Sequence, residues 1–359
     1  MILNNKGYLI RYMPILFIFT ILLITLHIKQ KHPFWDNQPV MRYPIHSSYG
    51  VIGNSPKFNI KLKPNQSLLI NKYPFDLIRI FLQNNFSNHY NVDPIYLDYI
   101  FHKKGSYNIT LLEDKKIIGF IHSSMIPIQI DSNNTQFQYV DYLCIHPKYR
   151  DHYMATILIA AIVQATGNPR QPILFKKDYT PLPYAPVIKS YYFIKDLRKL
   201  QPEPVHNITT LDIIHFYTYF EYTNALLKRY KIHRPYSKNE FFEIFLNKKV
   251  MDYFIINNSN NLKTIVIGKK NSYQINNMVL NCFEIEHILG ELRYSTDIHY
   301  NLSHYLKTNG YNYICIPNIA GNIKFIRDNK YVQNSRVYYY TYNYNLPNIN
   351  IHEFCVNIN

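Results

Sequence analysis

The sequence predicts an α+β protein built from two similar halves, and three observations support this. The chain has 359 residues, of which 47% are hydrophobic, enough for a substantial core and typical of two domains. Each half runs through helices, antiparallel strands, and then one more helix and strand. No low-complexity linker separates the halves. We expect an N-terminal anchor at 1–30, a first half at 31–200 and a second half at 201–359.

The apolar segment near the N-terminus predicts a transmembrane helix. Met13 to Ile28 is almost wholly apolar, with Lys6 and Arg11 before it and Lys29 and Lys31 after it. With the apolar pair that precedes Arg11, the run approaches the roughly 20 residues needed to cross a bilayer. The alternative is a cleaved signal peptide, although no small-x-small site follows the apolar core. The flanking charges are nearly balanced and leave the orientation undecided.

Apolar spacing and capping residues predict the elements of the first half. Helices are expected at 76–86 and, behind Asp93-Pro94, at 94–101. Strands at 108–112 and 116–123 form a hairpin. The segment 138–146 is rich in aromatic and branched residues and predicts a buried strand that ends at His146-Pro147. A helix at 154–165 and a strand at 190–194 follow.

The second half repeats this order. A helix is expected at about 210–230, and a second helix begins at the capping box Ser237 to Glu240. Strands are expected at 251–256 and 263–268. A helix at 301–309 ends before Gly310, and strands at 311–316 and 336–344 follow.

The net charge of +16 favours an anionic partner. Nucleic acid, an anionic membrane surface and an anionic small molecule are all compatible with it. The sequence has no RNP motif, zinc-finger spacing or arginine stripe, so we expect no nucleic-acid partner. The lysine excess is equally explained by codon bias. The surplus of Tyr, Asn and Ile is typical of AT-rich coding DNA, as in some protists and large viruses.

The four cysteines lie far apart and form no CxxC pair. This spacing predicts buried thiols in a reducing compartment, without a disulfide framework or a metal site. The segment 138–165 has a different chemistry: a strand, a short basic turn and a helix together suit an anion, because the free N–H groups of the helix point into the turn.

Several segments resemble the N-myristoyltransferase (glycylpeptide N-tetradecanoyltransferase) family. Tyr142-Leu143-Cys144-Ile145-His146 resembles the F-L-C-x-H core of the family signature, and residues 32–40 resemble its F-W-D-T-Q-P-V segment. Weaker matches follow in the same order along most of the chain. The resemblance implies two fused GNAT-like acyltransferase halves in a pseudo-twofold arrangement, preceded here by the predicted transmembrane helix.

The resemblance also implies a reaction without a side-chain nucleophile. A glycine amine attacks the thioester directly, and the backbone N–H groups of Tyr142 and Leu143 stabilise the oxyanion. The terminal carboxylate of Asn359 takes the proton of the incoming ammonium group. The alternatives from the residues alone are an ordinary paired strand and a frayed C-terminus. The apolar residues before Asn359 favour an inserted strand.

Substrate contacts carried over from the family fall into two groups. Those expected to hold the acyl-CoA are Pro33, Phe34, Trp35, Cys144, Ile145, Arg150, Asp151, Tyr153, Met154 and Ala155. The family's phosphate-binding motif R-S-K-R-V-A-P corresponds to residues 150–156 here, where two of its positive charges are lost. This loss predicts weakened acyl-CoA affinity. Asp151, which adds a negative charge at this place, can serve as a helix N-cap. Peptide contacts are expected at Asp141, Tyr192 and Ile316.

The resemblance therefore implies a membrane-anchored N-myristoyltransferase that uses myristoyl-CoA as co-substrate and has no permanent cofactor or metal. Its partners would be acyl-CoA and peptides with an N-terminal glycine, with less preference for lysine because the acidic peptide loop is missing. We expect a monomer whose bulk faces the cytoplasm. The alternatives are a catalytically weak acyl-CoA or acyl-protein binding protein of the same fold, and a GNAT-like acyltransferase with another acyl-CoA or amine.

Overall fold

The computed structural model describes residues 34–41, 48–86, 90–91, 93–150, 153–205, 207–257, 263–275, 278–346 and 349–356. The chain divides into two units, residues 1–38 and residues 39–359. In the first unit, Trp35–Asn37 forms one 3₁₀ turn. The predicted anchor at 1–30 lies outside the described residues. None of the helices in the described part of the chain has the length and apolarity that a bilayer span needs.

The second unit contains helices and strands in alternation. The helices are α1 (Phe75–Asn85), α2 (Pro94–His102), α3 (Met154–Ala165), α4 (Phe216–Leu227), α5 (Lys238–Phe242), α6 (Ser295–Thr308) and α7 (Asn322–Asp328). The strands are β1 (Gly50–Val51), β2 (Gln66–Ile70), β3 (Tyr90–Asn91), β4 (Tyr107–Glu113), β5 (Lys116–Ile130), β6 (Asn133–Ile145), β7 (Ile173–Asp178), β8 (Ile188–Asp196), β9 (Ile208–Thr210), β10 (Ile232–His233), β11 (Asp252–Asn257), β12 (Lys263–Ile275), β13 (Met278–Gly290), β14 (Tyr313–Pro317), β15 (Val332–Tyr342), β16 (Tyr344–Asn345) and β17 (Phe354–Cys355).

One motif occurs twice in the sheet. In the first copy, β5 and β6 pair antiparallel, and α3 then leads to β7, which lies parallel to β6. In the second copy, β12 and β13 pair antiparallel, and α6 leads to β14, which lies parallel to β13. The repeat agrees with the predicted pair of similar α+β halves.

The two copies are joined by exchanged strands in the middle of one large sheet. The path through the sheet is β17-β10-β5-β6-β7-β15-β8-β14-β13-β12-β11-β9. Strand β15, from late in the chain, pairs with β7 and β8, and β8 in turn pairs with β14. Hydrogen bonding therefore runs continuously from one copy of the motif to the other. The predicted domain boundary near residue 200 stays a prediction.

Each copy of the motif buries its helix against the sheet. Helix α3 packs through Leu158 and Ile162 on Ile109 and Ile118, and α6 packs through Leu302 on the second copy. Gly119 makes the close approach of α3 possible, because a Cβ there would lie 2.9 Å from a methyl carbon of Leu158. Helices α1, α2, α4 and α5 share a separate hydrophobic core.

Most predicted elements are confirmed, with informative exceptions. The helix at 154–165 is found over Met154–Ala165. The predicted helix at 210–230 is shorter, because Ile208–Thr210 pairs with β11 instead and the helix begins at Phe216. The helix expected at 301–309 begins earlier, at Ser295. Strand β13 was not predicted, since its charged and amide side chains interrupt the apolar pattern.

Candidate active site

The strand with the signature-like sequence is interrupted by a β-bulge. On the ladder between β5 and β6, His122 pairs with Asp141 and Phe120 pairs with Cys144, so the intervening stretch of β6 is one residue longer than that of β5. The backbone of Tyr142 is left-handed, with φ at 52°. A bulky residue keeps this conformation only where the surrounding structure holds it. Regular pairing with β5 is therefore interrupted at Tyr142 and Leu143 and resumes at Cys144.

Strand β6 loses its other neighbour at the same place. Strands β6 and β7 pair in parallel only from Gln138 to Val140, and β7 runs on to Asp178 along β15. Among the described ladders, Tyr142 and Leu143 have no register partner on β5 or β7. Backbone N–H groups at such an opening can donate to a substrate oxygen in place of a strand carbonyl.

The Asp141 carboxylate is hydrogen-bonded within this opening. Its Oδ1 accepts a bond from the backbone N–H of Tyr142 at 2.7 Å, and its Oδ2 accepts one from the hydroxyl of Tyr139 at 3.3 Å. Bonds to a charged acceptor are stronger than bonds between neutral groups. A substrate oxygen therefore has to compete with Asp141 for the Tyr142 N–H, one of the two predicted oxyanion donors.

Helix α3 begins directly after the bulged strand and its basic turn. The N-cap is Tyr153, with φ at 58°, and among the described residues it makes no side-chain cap hydrogen bond. Asp151, the predicted alternative N-cap, lies outside the described residues. Met154 and Ala155 open the helix, and N–H groups of a first turn are anion donors.

Arg150 lies at the end of the same turn and is exposed. Its Nε donates to the carbonyl of Ile145 at 3.2 Å, and its Nη2 donates to the carbonyl of Asn85 at 3.1 Å. These two bonds use two of the five N–H donors of a guanidinium group. Arg150 therefore ties the turn to α1 and keeps donors for an anion at the start of α3.

A cleft opens beside the bulge, between β6, helix α2 and the segment that follows α5. It holds about 530 Å³ of space that no protein atom occupies, and this space is open to solvent. Its apolar walls include Ile100, Ile244 and Val250. Its charged and polar groups are Lys103, His122, Asp141, Tyr142, Arg234 and Glu286.

Two cations that line the cleft, Lys103 and Arg234, are ion-paired to one carboxylate, that of Glu240. The Oε1 of Glu240 accepts hydrogen bonds from Lys103 at 2.7 Å and from Arg234 at 2.5 Å. Burial alone would raise the pKa of Glu240, but the two cations outweigh it and lower that pKa to about 2. Burial and the neighbouring Arg234 lower the pKa of Lys103. The shared carboxylate of Glu240 is therefore ionised at neutral pH.

A second charged cluster lies on the β12–β13 hairpin. Lys269 is 1% exposed, and its ammonium group lies 4.2 Å from the ring centroid of Tyr96. Glu284 accepts a hydrogen bond from Asn271. Burial raises the pKa of Glu286 to about 7, against the opposing effects of Lys269 and Arg234. Burial also lowers the pKa of Lys269.

The structure brings some of the predicted site residues together. Asp141 and Tyr142 line the cleft, Leu143 follows them, and Cys144 is buried beneath them. Burial raises the pKa of the Cys144 thiol to about 12, so it is no thiolate nucleophile. Ile145 contributes the carbonyl that Arg150 binds.

Other predicted residues lie elsewhere. Ile316 is fully buried in the core under α6, so the structure does not bring it to the cleft. Tyr192 packs against another core and is not a cleft residue. In the first unit, Phe34 and Trp35 stack edge to face at 4.8 Å. The predicted residues Pro33, Asp151 and Asn359 lie outside the described residues.

The approach to the C-terminus is an inserted strand. Phe354 and Cys355 pair in parallel with β10, and Val356 is fully buried. The Sγ of Cys355 lies 3.4 Å from Nδ1 of His287. The chain is therefore held in the sheet close to its end, as its apolar sequence predicts, and is not frayed up to Val356.

Sequence reasoning missed the charged groups of the cleft. Lys103, Arg234, Glu240, Lys269 and Glu286 are all buried or nearly so, and none belongs to a motif. One signal was available, namely a Lys and two Glu within strands that are otherwise rich in apolar residues. Buried ionisable groups in a cleft are candidates for a functional role.

The comparisons agree with this geometry. Residues 83–169 match the family model of the myristoyl-CoA:protein N-myristoyltransferase N-terminal domain. A glycylpeptide N-tetradecanoyltransferase of Kluyveromyces lactis is 24% identical over 178 residues, covering 42% of this chain. The match spans 39% of that relative's length, less than half of it.

Solved structures match over much more of the chain. The Saccharomyces cerevisiae N-myristoyltransferase with bound myristoyl-CoA aligns over 92% of this chain and 99% of its own, with a TM-score of 0.77 and 14% identity. The structure of that enzyme with myristoyl-CoA and inhibitors covers 93% and 98%, with a TM-score of 0.76 and 15% identity. The chain therefore has the α+β fold of these N-myristoyltransferase structures. Residues 83–169, which include the bulged strand and α3, are similar to the N-terminal domain of that family.

Proposed function

We propose that the protein transfers a myristoyl group from myristoyl-CoA to the N-terminal glycine amine of target proteins. The observation that carries this proposal is the opening at Tyr142 and Leu143, where the ladder with β5 is interrupted by the bulge and the ladder with β7 has ended. It lies directly before the free N-terminus of α3, and the yeast enzyme of the same fold is described with bound myristoyl-CoA.

In the proposed reaction, the glycine amine attacks the thioester carbonyl and its oxygen becomes an oxyanion. The N–H groups of Leu143 and Tyr142 donate to that oxygen, and each such donor is typically worth about 3 kcal/mol. The Tyr142 N–H has to exchange Asp141 for the oxyanion first. Cleavage of the carbon–sulfur bond then releases CoA.

The CoA moiety is proposed to bind at the start of α3. Its phosphates would accept from the N–H groups of Tyr153, Met154 and Ala155 and from the remaining donors of Arg150. Myristoyl-CoA acts as a co-substrate, and no permanent cofactor is required. In the described residues, no group of three or more His, Cys, Asp or Glu side chains is placed to hold a metal ion.

The peptide is proposed to enter the cleft between β6, α2 and the segment that follows α5, with its ammonium group near Asp141. Residues 1–30 would anchor a monomeric enzyme to a membrane, with the bulk of the chain facing the cytoplasm, where acyl-CoA is supplied. The apolar composition of residues 13–28 supports the anchor.

The full-length protein, myristoyl-CoA and a glycine-initial peptide test the proposal directly. Mass spectrometry should detect a myristoylated peptide with an amide at its N-terminus. The same peptide starting with N-acetylglycine has no free amine and serves as the control. If myristoyl-CoA binds tightly and no amide forms at saturating peptide, the protein is an acyl-CoA binding protein of this fold and the proposed activity is wrong.

A further inference from the structure

Three cations and two tyrosines form a strip across the middle of the sheet. Tyr338 of β15 is paired with Lys177 of β7 on one side and with Lys189 of β8 on the other. Arg336, two residues before Tyr338, is paired with Tyr191 of β8. Residues directly opposite one another, and residues two apart on one strand, share a face of the sheet. All five side chains therefore leave the sheet on one face, and together we term them the cationic strip.

The cationic strip lies on the face of the sheet that α3 covers. Lys177 follows Phe175 by two residues, and Phe175 is paired with Val140, which packs against α3. Asp141, the residue after Val140, leaves the sheet on the opposite face, where the cleft lies. Strands β6 and β7 are parallel, so their C-terminal ends lie at the same edge of the sheet, and α3 begins a short turn after the end of β6. The strip and the first turn of α3 therefore lie at the same end of one face.

Helix α6 bounds the strip on its other side. Lys189 precedes Phe193 by four residues on β8, and Phe193 is paired with Ile316 in the core under α6. Lys189 and Arg336 are exposed, and the other three side chains of the strip are buried or half-buried. The strip is thus a floor between two helices, with its charged ends open to solvent.

Phenols, and not carboxylates, contact the cations of the strip. The Nζ of Lys189 lies 5.6 Å from the centroid of the Tyr191 ring, and the guanidinium carbon of Arg336 lies 5.4 Å from it. A hydrogen bond from Lys189 and the charge of Arg336 lower the pKa of Tyr191. Within the described ranges, none of the three cations is ion-paired with a carboxylate. The neighbouring Asp178 leaves β7 on the other face of the sheet. The positive charge of the strip is therefore uncompensated on its own face.

The spacing of the strip fits one phosphate group. Lys177 and Lys189 flank Tyr338 on adjacent strands, so their Cα atoms are two strand spacings, or about 10 Å, apart. Both ammonium groups can reach an anion above the Tyr338 hydroxyl. That hydroxyl accepts a bond from Nη1 of Arg336 at 3.2 Å and can donate its own proton to the anion. The other donors of the guanidinium fork suit two oxygens of a phosphate.

The strip offers no platform for stacked bases. Tyr338 is 6% exposed, and the ring of Tyr191 lies against Lys189 and Arg336. Single-stranded nucleic acids are held by open aromatic rings together with backbone charges. The strip combines the charges with covered rings, which favours an isolated phosphate group over a nucleic-acid strand.

We propose that Lys177, Lys189 and Arg336 form a phosphate-binding site on the floor between α3 and α6. Two sources have this chemistry, namely the 3′-phosphate of a CoA bound at α3 and the phosphate of a separate ligand. The first turn of α3 is the proposed place of the CoA phosphates, and it lies at the same end of the same face as the strip. The first source rests on the proposed function, whereas the phosphate site itself does not.

Myristoyl-CoA and myristoyl-dephospho-CoA, which lacks the 3′-phosphate, test the first source. Their dissociation constants are measured by calorimetry on the full-length protein at one ionic strength. The strip variant Lys189→Gln/Arg336→Gln removes two exposed charges. The matched control Lys228→Gln/Arg229→Gln also removes one exposed lysine and one exposed arginine, at the end of α4 and away from the strip. Thermal unfolding shows whether each variant is folded.

The wild type should bind myristoyl-CoA roughly 10-fold more tightly than myristoyl-dephospho-CoA, the equivalent of about one charge-assisted hydrogen bond. In the strip variant the two constants should agree within about twofold, because only the ligand with the 3′-phosphate loses affinity. The control should keep the wild-type ratio. Arg336→Lys keeps the charge and should retain most of the preference, and it serves as the second variant if the double substitution unfolds the protein.

Inorganic phosphate, titrated into protein saturated with myristoyl-CoA and followed by phosphorus NMR, tests the second source. Equal wild-type constants for the two acyl-CoA ligands, with phosphate binding that the strip variant loses, would assign the site to a separate phosphorylated ligand. A preference or phosphate binding that persists unchanged in the strip variant would overturn the site, as would the absence of both in the wild type. If the wild type binds no acyl-CoA at all, the proposed function is wrong, and phosphate titration of the unliganded protein still decides the site.

Discussion

Replacing Asp141 by Asn should accelerate the chemical step. In the structure, the Asp141 carboxylate holds the Tyr142 N–H at 2.7 Å, the donor that the oxyanion needs. Asn is nearly isosteric and can keep the contact with Tyr139, but its oxygen carries no full charge. The variant therefore weakens the competitor for the Tyr142 N–H and removes a negative charge beside a developing oxyanion.

The size of the effect follows from the contact that changes. A hydrogen bond to a charged acceptor contributes about 1.5–3 kcal/mol, against about 0.5–1.5 kcal/mol between neutral groups. The hydrogen bond of the Tyr142 N–H has to move from the side chain of residue 141 to the oxyanion. This move should therefore cost about 1–1.5 kcal/mol less in Asp141→Asn than in the wild type. That difference corresponds to a roughly 5- to 10-fold higher rate. Weaker attraction of the peptide ammonium group should raise its KM at the same time.

The assay is single-turnover acyl transfer from preloaded myristoyl-CoA at saturating peptide, with peptide KM measured separately. Tyr139→Phe is the control, because it removes the other hydrogen bond to Asp141 without changing the charge. It should leave the rate within about twofold of wild type. A fall of tenfold or more in Asp141→Asn would contradict the reasoning, since it would mean that the carboxylate assists the chemistry.

Three further predictions concern the frame of the site. Glu240→Gln should lower the free energy of unfolding by about 3 kcal/mol in urea at pH 7, because a pKa lowered from 4.5 to about 2 corresponds to free energy of that order. This stabilisation is present above pH 4.5 and is lost as the pH falls towards 2. The control Glu221→Gln changes an exposed side chain and should leave the free energy of unfolding unchanged. Gly119→Val should lower the free energy of unfolding by about 1–3 kcal/mol, because the larger side chain overpacks against α3. Myristoyl-CoA should also bind more weakly in calorimetry. An unchanged melting temperature would contradict this prediction. Arg150→Ala should weaken myristoyl-CoA binding about 10-fold, the equivalent of one charge-assisted bond, whereas an unchanged Kd would remove Arg150 from the phosphate site.

The sequence predicts strand β6 and helix α3 well because both depend on local patterns. Strand 138–146 is a branched and aromatic run with a proline stop, and α3 is an uninterrupted apolar helix. The left-handed backbone of Tyr142 has no such signal. It results from the extra residue that β6 has opposite β5 at the bulge and from the end of pairing between β6 and β7. Both depend on strand pairing between distant parts of the chain.

The charged cleft escapes sequence reasoning for another reason. In β13, Glu284 and Glu286 alternate with Phe283 and Ile285, the pattern of a strand with one face in water. Here both faces are buried, and the polar face meets Lys269 and the cleft. Alternation shows that two faces differ, but it cannot show whether the polar face meets solvent or other charges.

The charges around the cleft influence the proposed peptide binding. Lys103 and Arg234 share the carboxylate of Glu240, and the neighbouring Lys269 and Glu286 have opposite charges when both are ionised. Asp141 adds a further carboxylate to the cleft lining. Burial raises the pKa of Glu286 to about 7, so its protonation near neutral pH removes one negative charge from the cleft. The ionised form attracts an ammonium group more strongly, so the affinity for a peptide with a free amine terminus should fall as the pH drops through the Glu286 pKa.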